Sequence, residues 1–285
     1  MGFEWLTVDL VEEIQRAAEN GTPICPIVGA VRAATLPAVV EYGCLRWARG
    51  LDEPTPPLPG IIVSSGLGKA LMAVRLDLGL RSTGPGKQPA KDIAVRAIEF
   101  ATIASADELE EQDWGLFEAR FSRSAQSVGF AKREAGGLQG ALREMVENAL
   151  IHAMSPVPVL VGYLVRERAA QFCVADVGIG VLASLRSCPD YAHIDLHKDA
   201  VREALRDGTS RWGRNKGGLG FRTVFKALTA QWGHLRFRSG EGCITMDGRS
   251  PDADQGRETF PPFLPGFQVT VTCQADGTPC SVPLV

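Results

Sequence analysis

The sequence lacks most of the features that would place a protein at a membrane or on nucleic acid. No apolar run reaches the roughly 18 residues that a membrane helix needs. Neither sign of charge dominates: 30 Lys and Arg stand against 33 Asp and Glu, a formal net charge of −3. That balance offers no basic excess for nucleic acid and no basic tail for an anionic bilayer. The opening residues Met1-Gly2-Phe3-Glu4-Trp5 have no basic stretch ahead of an apolar one, so no secretory leader is expected. Seven cysteines are scattered from Cys25 to Cys280, an odd number with no Cys-x-x-Cys. Reduced thiols in a cytoplasm are the simplest expectation. No internal repeat is found. What is present is ordinary globular material, 285 residues that are 45% hydrophobic and 22% charged. At about 150 residues per domain, that length suggests two.

The first hundred residues read as an α/β unit. Residues 24–31 form an apolar run of strand character. Thr35 and Pro37 open a helix whose apolar positions Leu36, Val39, Val40, Cys44 and Trp47 fall at helical spacing. Residues 52–60 are proline-rich and read as a loop. A short strand over 61–65, a helix over 69–80, a loop over 82–89 and a strand over 93–100 follow. The acidic segment 105–111, with Ser105 as its cap, is expected to open a helix through roughly Val128. After a break over 131–137, a second helix runs from about Leu138 to Ala153. Strands over 157–165 and 171–176 pair through the turn Arg166-Glu167-Arg168. The segment 182–216 reads as long, polar and irregular, with one helix near 196–206, the pattern of a mobile lid. A helix over 221–232 and strands over 235–238, 243–246 and 267–273 complete the chain. The domain boundary is expected near residue 105, giving an N-terminal α/β domain over 1–105 and a second domain over 106–285.

Three segments carry the chemistry. The first is Glu144-Met-Val-Glu-Asn148-Ala-Leu-Ile-His152. On a helix, Leu138, Leu142, Met145 and Ala149 form one apolar stripe, centred roughly 130° around from Glu144. Asn148 lies about 40° from Glu144, toward that stripe, while Arg143 and Glu147 turn toward solvent. Glu144 and Asn148 therefore stack one turn apart beside the buried edge. A carboxylate there can polarise a water. A carboxamide oxygen is a hard, neutral ligand that suits Mg²⁺. Taken alone, the pair is equally a solvated helix face. The second segment is Asp176-Val-Gly178-Ile-Gly180, at a strand end. Its carboxylate only accepts hydrogen bonds, so it favours the exocyclic amine of adenine over the carbonyl of guanine. The glycines let backbone lie against a flat base. A plain glycine turn would look the same. The third is Gly217-Gly218-Leu219-Gly220, opening a helix with Arg211, Arg214 and Lys216 just upstream. Free N–H groups at a helix start bind phosphate, and the basic residues could reach its terminal oxygens.

In series, these segments resemble the three motifs of the GHKL ATPase superfamily, which includes gyrase, a heat-shock chaperone family, the histidine kinases and the mismatch-repair MutL proteins. Residues 144–152 resemble its N box, 176–180 its first glycine box and 217–220 its second, in the same order. The resemblance spans about residues 107–273. It implies a two-layer α/β sandwich with helices over one face of a mixed sheet. By the same resemblance, Glu144 is the general base and Asn148 holds Mg²⁺. Asp176 binds the adenine amine, Gly178, Gly180, Gly218, Leu219 and Gly220 shape the nucleotide pocket, and Arg214 or Lys216 on the lid senses the γ-phosphate of ATP. The Glu-x-x-x-Asn-x-x-x-His form is close to that of the anti-sigma-factor serine kinases. One departure stands out. Where the superfamily often has Gly-Thr opening its last strand, this chain has Gly266-Phe267, and Thr270, three residues on, falls on the opposite face.

None of the four histidines (His152, His193, His197 and His234) lies upstream of residue 144, so a self-phosphorylating histidine kinase is not expected. A gyrase-like transducer domain after the last strand is not expected either. Residues 64–69 imitate a phosphate-binding loop, but Val63 and Ala70 stand where that motif needs Gly and Ser or Thr. Cys188, His193 and His197 lack an evident fourth zinc ligand. His152 reads as a core-edge residue. The expectation is a cytoplasmic, bacterial-type, Mg²⁺-dependent ATPase that acts as an ATP-gated switch, with a protein partner or a second copy as its target. A serine kinase and an ATP-sensing module with negligible turnover are the alternatives.

Overall fold

A computed structural model describes residues 4–21, 31–49, 95–206, 233–247 and 253–275. Strand β1 (Glu4–Leu6) and helix α1 (Val8–Glu19) precede strand β2 (Val31–Ala34) and helix α2 (Leu36–Ala48). β1 and β2 pair in parallel as a small separate sheet. Strand β3 (Val95–Ile103), helices α3 (Gln112–Ser127) and α4 (Lys132–His152), and strands β4 (Val159–Arg166) and β5 (Ala169–Ala175) follow. Then come helices α5 (Gly180–Arg186) and α6 (His197–Ala204), and strands β6 (His234–Gly240), β7 (Gly242–Asp247), β8 (Arg257–Thr259) and β9 (Leu264–Gln274). Strands β3 to β9 form one seven-stranded sheet in the order β3-β4-β5-β9-β6-β7-β8. Every pairing in it is antiparallel, not mixed as expected.

Strict alternation builds the two faces of this sheet. Val159, Val161, Tyr163 and Val165 on β4, Phe172 and Val174 on β5, and Phe267, Val269 and Val271 on β9 point into one core. Trp114, Phe117 and Phe121 of α3, with Leu138, Leu142, Met145 and Ala149 of α4, fill it from above. The Phe117 and Phe121 rings meet the Tyr163 ring at centroid distances of 5.0 and 4.9 Å. Each such side chain, fully buried, is worth about 1.5–3 kcal/mol. The alternate residues Leu160, Leu164, Cys173 and Ala175 face a second core, closed by Val11 and Ile14 of α1 and Leu36, Val40 and Cys44 of α2. The sandwich is therefore three layers deep, not two, because the N-terminal helices cover the second face. β3, from the N-terminal side of the expected boundary near residue 105, is the edge strand of the large sheet.

Local chemistry explains most boundaries. Thr7 caps α1 by accepting the Leu10 N–H at 3.2 Å, and Thr35 caps α2 by accepting that of Ala38 at 3.4 Å. Ser105 does not cap α3: a 3₁₀ turn over Asp107–Glu110 intervenes, and the helix starts at Gln112. α4 begins at Lys132, six residues before the expected Leu138. The break falls just before it, and the Glu134 carboxylate holds the Ala131 N–H at 2.8 Å. The glycine pair at 136 and 137 weakens helix propensity, but packing of the apolar stripe overrides it. Residues 182–206 are more ordered than the expected lid. α5 and α6 enclose a small core of Leu185, Cys188, Tyr191, Ile194 and Ala200. The proposed elements over 52–89 and 221–232 lie outside the described residues, as does residues 24–30 of the first expected strand. Among the described residues no helix is long and apolar enough to cross a membrane.

Candidate functional site

The first two motifs meet. α4 carries Glu144 and Asn148 on its half-buried face, beside the fully buried Met145 and Ala149. Arg143 and Glu147, expected toward solvent, are both partly exposed and pair at 3.0 Å, and Arg143 also reaches the buried Glu118 of α3 at 3.4 Å. α4 ends at His152, and the carbonyl of Ala153 accepts the backbone N–H of Ile179 at 2.8 Å. Between these chain ends, Gly178 leaves no room for a side chain: a Cβ there would lie 1.9 Å from the Ala153 oxygen. The glycine in the Asp-x-Gly pattern thus lets the strand end dock on the end of the Glu–Asn helix.

Asp176, one residue past β5, has no solvent exposure. Its backbone N–H donates to the Phe267 carbonyl at 3.0 Å, and its Oδ1 accepts the Gly178 N–H at 2.7 Å. Its Oδ2 is buried with no hydrogen-bond partner. Burial pushes the carboxyl from its usual 3.8 up to about 7, against the opposing pull of the Gly178 and Phe267 backbone. An orphaned acceptor at this depth is uncommon and costly. It is the feature that an amine donor on a ligand would satisfy.

Gly266, already marked by the Gly266-Phe267 departure, and two residues that the sequence does not mark, Ser239 and Gln268, complete the floor. Gly266 has φ +78°, and a Cβ on it would lie 2.1 Å from the Asp176 carbonyl oxygen and 2.5 Å from Oδ1. Ser239 donates its hydroxyl to the Gly266 carbonyl at 2.7 Å and accepts the Val181 N–H at 2.9 Å, which ties β6 to the start of α5. The Gln268 amide donates to the Asp176 carbonyl at 3.4 Å. The Gly266-Phe267 pair in the last strand is the sequence signal for Gly266. Nothing local in the sequence marks Ser239.

Phe267 lies in the core cluster with its ring 5.8 Å from that of Phe237, and Thr270 turns to the opposite face, its hydroxyl 3.2 Å from the Cys173 sulfur. Gly180, at φ +75°, starts α5 beside Ser239. Gly218, Leu219 and Gly220, with Arg211, Arg214 and Lys216, lie outside the described residues, as does the loop imitation at 64–69. Among the described residues no cluster of three or more His, Cys, Asp or Glu is placed to hold a metal. Cys188 is buried in the small core, and His197 packs its ring against Phe263 and the backbone of Gly240. Compared with known protein families the chain matches none, and no curated protein matches its sequence.

Proposed function

We propose that this chain is a GHKL-like, Mg²⁺-dependent ATP-binding protein that hydrolyses ATP and works as an ATP-gated switch in the cytoplasm. The observation that carries the reading is the buried, half-partnered carboxyl of Asp176, docked through Gly178 onto the end of the helix that presents Glu144 and Asn148. Asp176 Oδ2 accepts the adenine amine. The Asn148 carboxamide, a neutral oxygen donor one turn from Glu144, holds Mg²⁺, which neutralises phosphate charge when bound. Glu144 takes the proton from the water that attacks the γ-phosphorus, the bond to the β-phosphate oxygen breaks, and ADP leaves. Arg214 or Lys216 contacts the terminal phosphate. Nucleotide then shifts the population of forms that a protein partner or a second copy of the chain recognises.

Nucleotide titration of the wild type against Asp176→Ala, with and without Mg²⁺, tests the assignment. Loss of affinity in the variant is expected, and equal affinity would refute the adenine role. Phosphate release that survives Glu144→Ala unchanged would refute the base. Phe267 favours a second reading, an ATP-sensing module with little turnover, because it supplies no hydroxyl beside the adenine site. Tight binding with no phosphate release would select it.

A further inference from the structure

We propose, resting on the site assigned above, that Gln15 of α1 and Glu41 of α2 are positioning residues for it: acting through Arg238, they hold residues 262–266 against Asp176, so the docked N-terminal helices set the shape of the nucleotide site. Arg238 on β6 is fully buried. One of its terminal nitrogens donates to Glu41 Oε2 at 2.7 Å. The other donates to the Pro262 carbonyl at 2.6 Å and to Gln15 Oε1 at 3.3 Å. The Gln15 amide in turn donates to the Phe263 carbonyl. Glu41 also pairs with Arg236, whose guanidinium lies 3.5 Å from Glu12. Two N-terminal side chains and one buried arginine thus clasp two successive carbonyls of the segment that leads into Gly266. Gly266 is the residue packed on Asp176, and Ser239, next to Arg238, holds the Gly266 carbonyl.

The composition of this face separates a clasp from mere cover. At β3, β4 and β5 the N-terminal helices rest on apolar side chains, Phe100, Leu160 and Leu164 among them. At β9 and β6 the same face carries Gln268, Thr270, Thr272, Arg236 and Arg238. Well-packed apolar residues usually seal a surface as firmly as buried ion pairs, or more so. Two of the polar groups kept here, Arg238 and Gln268, end on the backbone that frames Asp176, at the carbonyls of Pro262, Pro265 and Asp176 itself. α2 also lies within electrostatic reach of that residue: burial, and then the nearby charges of Asp176 and Glu41, hold the Cys44 thiol well above its ordinary range, with Arg238 opposing them.

Gln15→Met tests the clasp. It keeps side-chain volume while removing both hydrogen bonds of the clasp, together with the one from the Gln15 amide to Glu19 at 3.2 Å. Two signals are read on the full chain: hydrogen exchange over residues 176–181 and 262–268, with α3 as the internal reference, and the ¹³C titration of the Asp176 carboxyl, identified by its loss in Asp176→Asn. We expect exchange about tenfold faster in both segments, the equivalent of about one hydrogen bond, with α3 unchanged. We also expect the carboxyl midpoint to fall from about 7 as water gains access. Unchanged exchange and an unchanged midpoint would overturn the proposal. So would exchange that rises equally in α3, because Gln15 would then act on global stability alone. A fluorescent ATP analogue titrated into the same proteins is expected to bind Gln15→Met more weakly than wild type. Failure to bind wild type at all would sink the ATP assignment and leave the positioning role to be decided by the exchange and carboxyl signals.

Discussion

Asp176→Asn makes the cost of this site measurable without any ligand. The Asp176 carboxyl rises from 3.8 to about 7 in the folded protein because burial outweighs the opposing pull of the Gly178 and Phe267 backbone, and Oδ2 has no partner. The folded state therefore retains a proton that the unfolded chain has already released. Stability from this group is full below pH 3.8 and is lost as pH rises through about 7. Each pH unit of that rise corresponds to about 1.4 kcal/mol, so the full window amounts to about 4 kcal/mol. Roughly 2–3 kcal/mol of it falls between pH 5 and pH 8. Asn keeps the Oδ1 acceptor for Gly178 and has no proton to lose, so it removes this pH dependence. Urea unfolding at the two pH values should show wild type losing roughly 2–3 kcal/mol more than Asp176→Asn on going from pH 5 to pH 8. Parallel pH dependence in the two proteins would mean that the carboxyl titrates normally and is not buried as described.

Gly178→Ala places a Cβ 1.9 Å from the Ala153 carbonyl oxygen. The strand end must then separate from α4, and we expect a loss of about 1–3 kcal/mol in chemical denaturation together with weakened nucleotide binding. Glu41→Ala strips the carboxylate from two arginines, of which Arg238 is fully buried. A loss of about 3–5 kcal/mol and a correspondingly lower melting temperature are expected, and a change below about 1 kcal/mol would contradict the buried pairing.

The core of the fold was legible because its signal is periodic. Leu138, Leu142, Met145 and Ala149 fall on one face of α4 as their spacing requires, and Thr35 with Pro37 marks the start of α2 to the residue. Asp176 and Gly178 were found through their place at a strand end. What the sequence concealed is tertiary. Arg236 and Arg238 alternate with Leu235 and Phe237 on β6, and nothing local in the sequence marks that Glu41, nearly 200 positions earlier, folds onto them. α1, with its Thr7 cap, is not among the elements that the sequence predicts. Residues 182–206 looked irregular because their helices are short, and Tyr191 organises them through contacts rather than periodicity. The antiparallel order of the sheet follows from register between distant strands, which no local pattern encodes.

The departure at position 267 and the unpaired oxygen of Asp176 belong together. β9 still holds Asp176 by its backbone, through the Phe267 carbonyl. Its side chain at that position has gone to the core beside Phe237, and Thr270 has gone to the other face beside Cys173. The strand therefore offers Asp176 no hydroxyl, and the carboxyl is left to the Gly178 and Phe267 backbone, with Oδ2 unmet. A ligand amine that supplies the missing donor stabilises the ionised form, so binding must expel the proton that burial retains. With a midpoint of about 7, the ionised fraction climbs from about a tenth at pH 6 to about nine tenths at pH 8. Adenosine, which has no phosphates to titrate over that range, should then bind about tenfold more tightly at pH 8 than at pH 6, and Asp176→Asn should lose the dependence. Adenosine binding that is flat across this range in wild type would show that the amine is met by some other group.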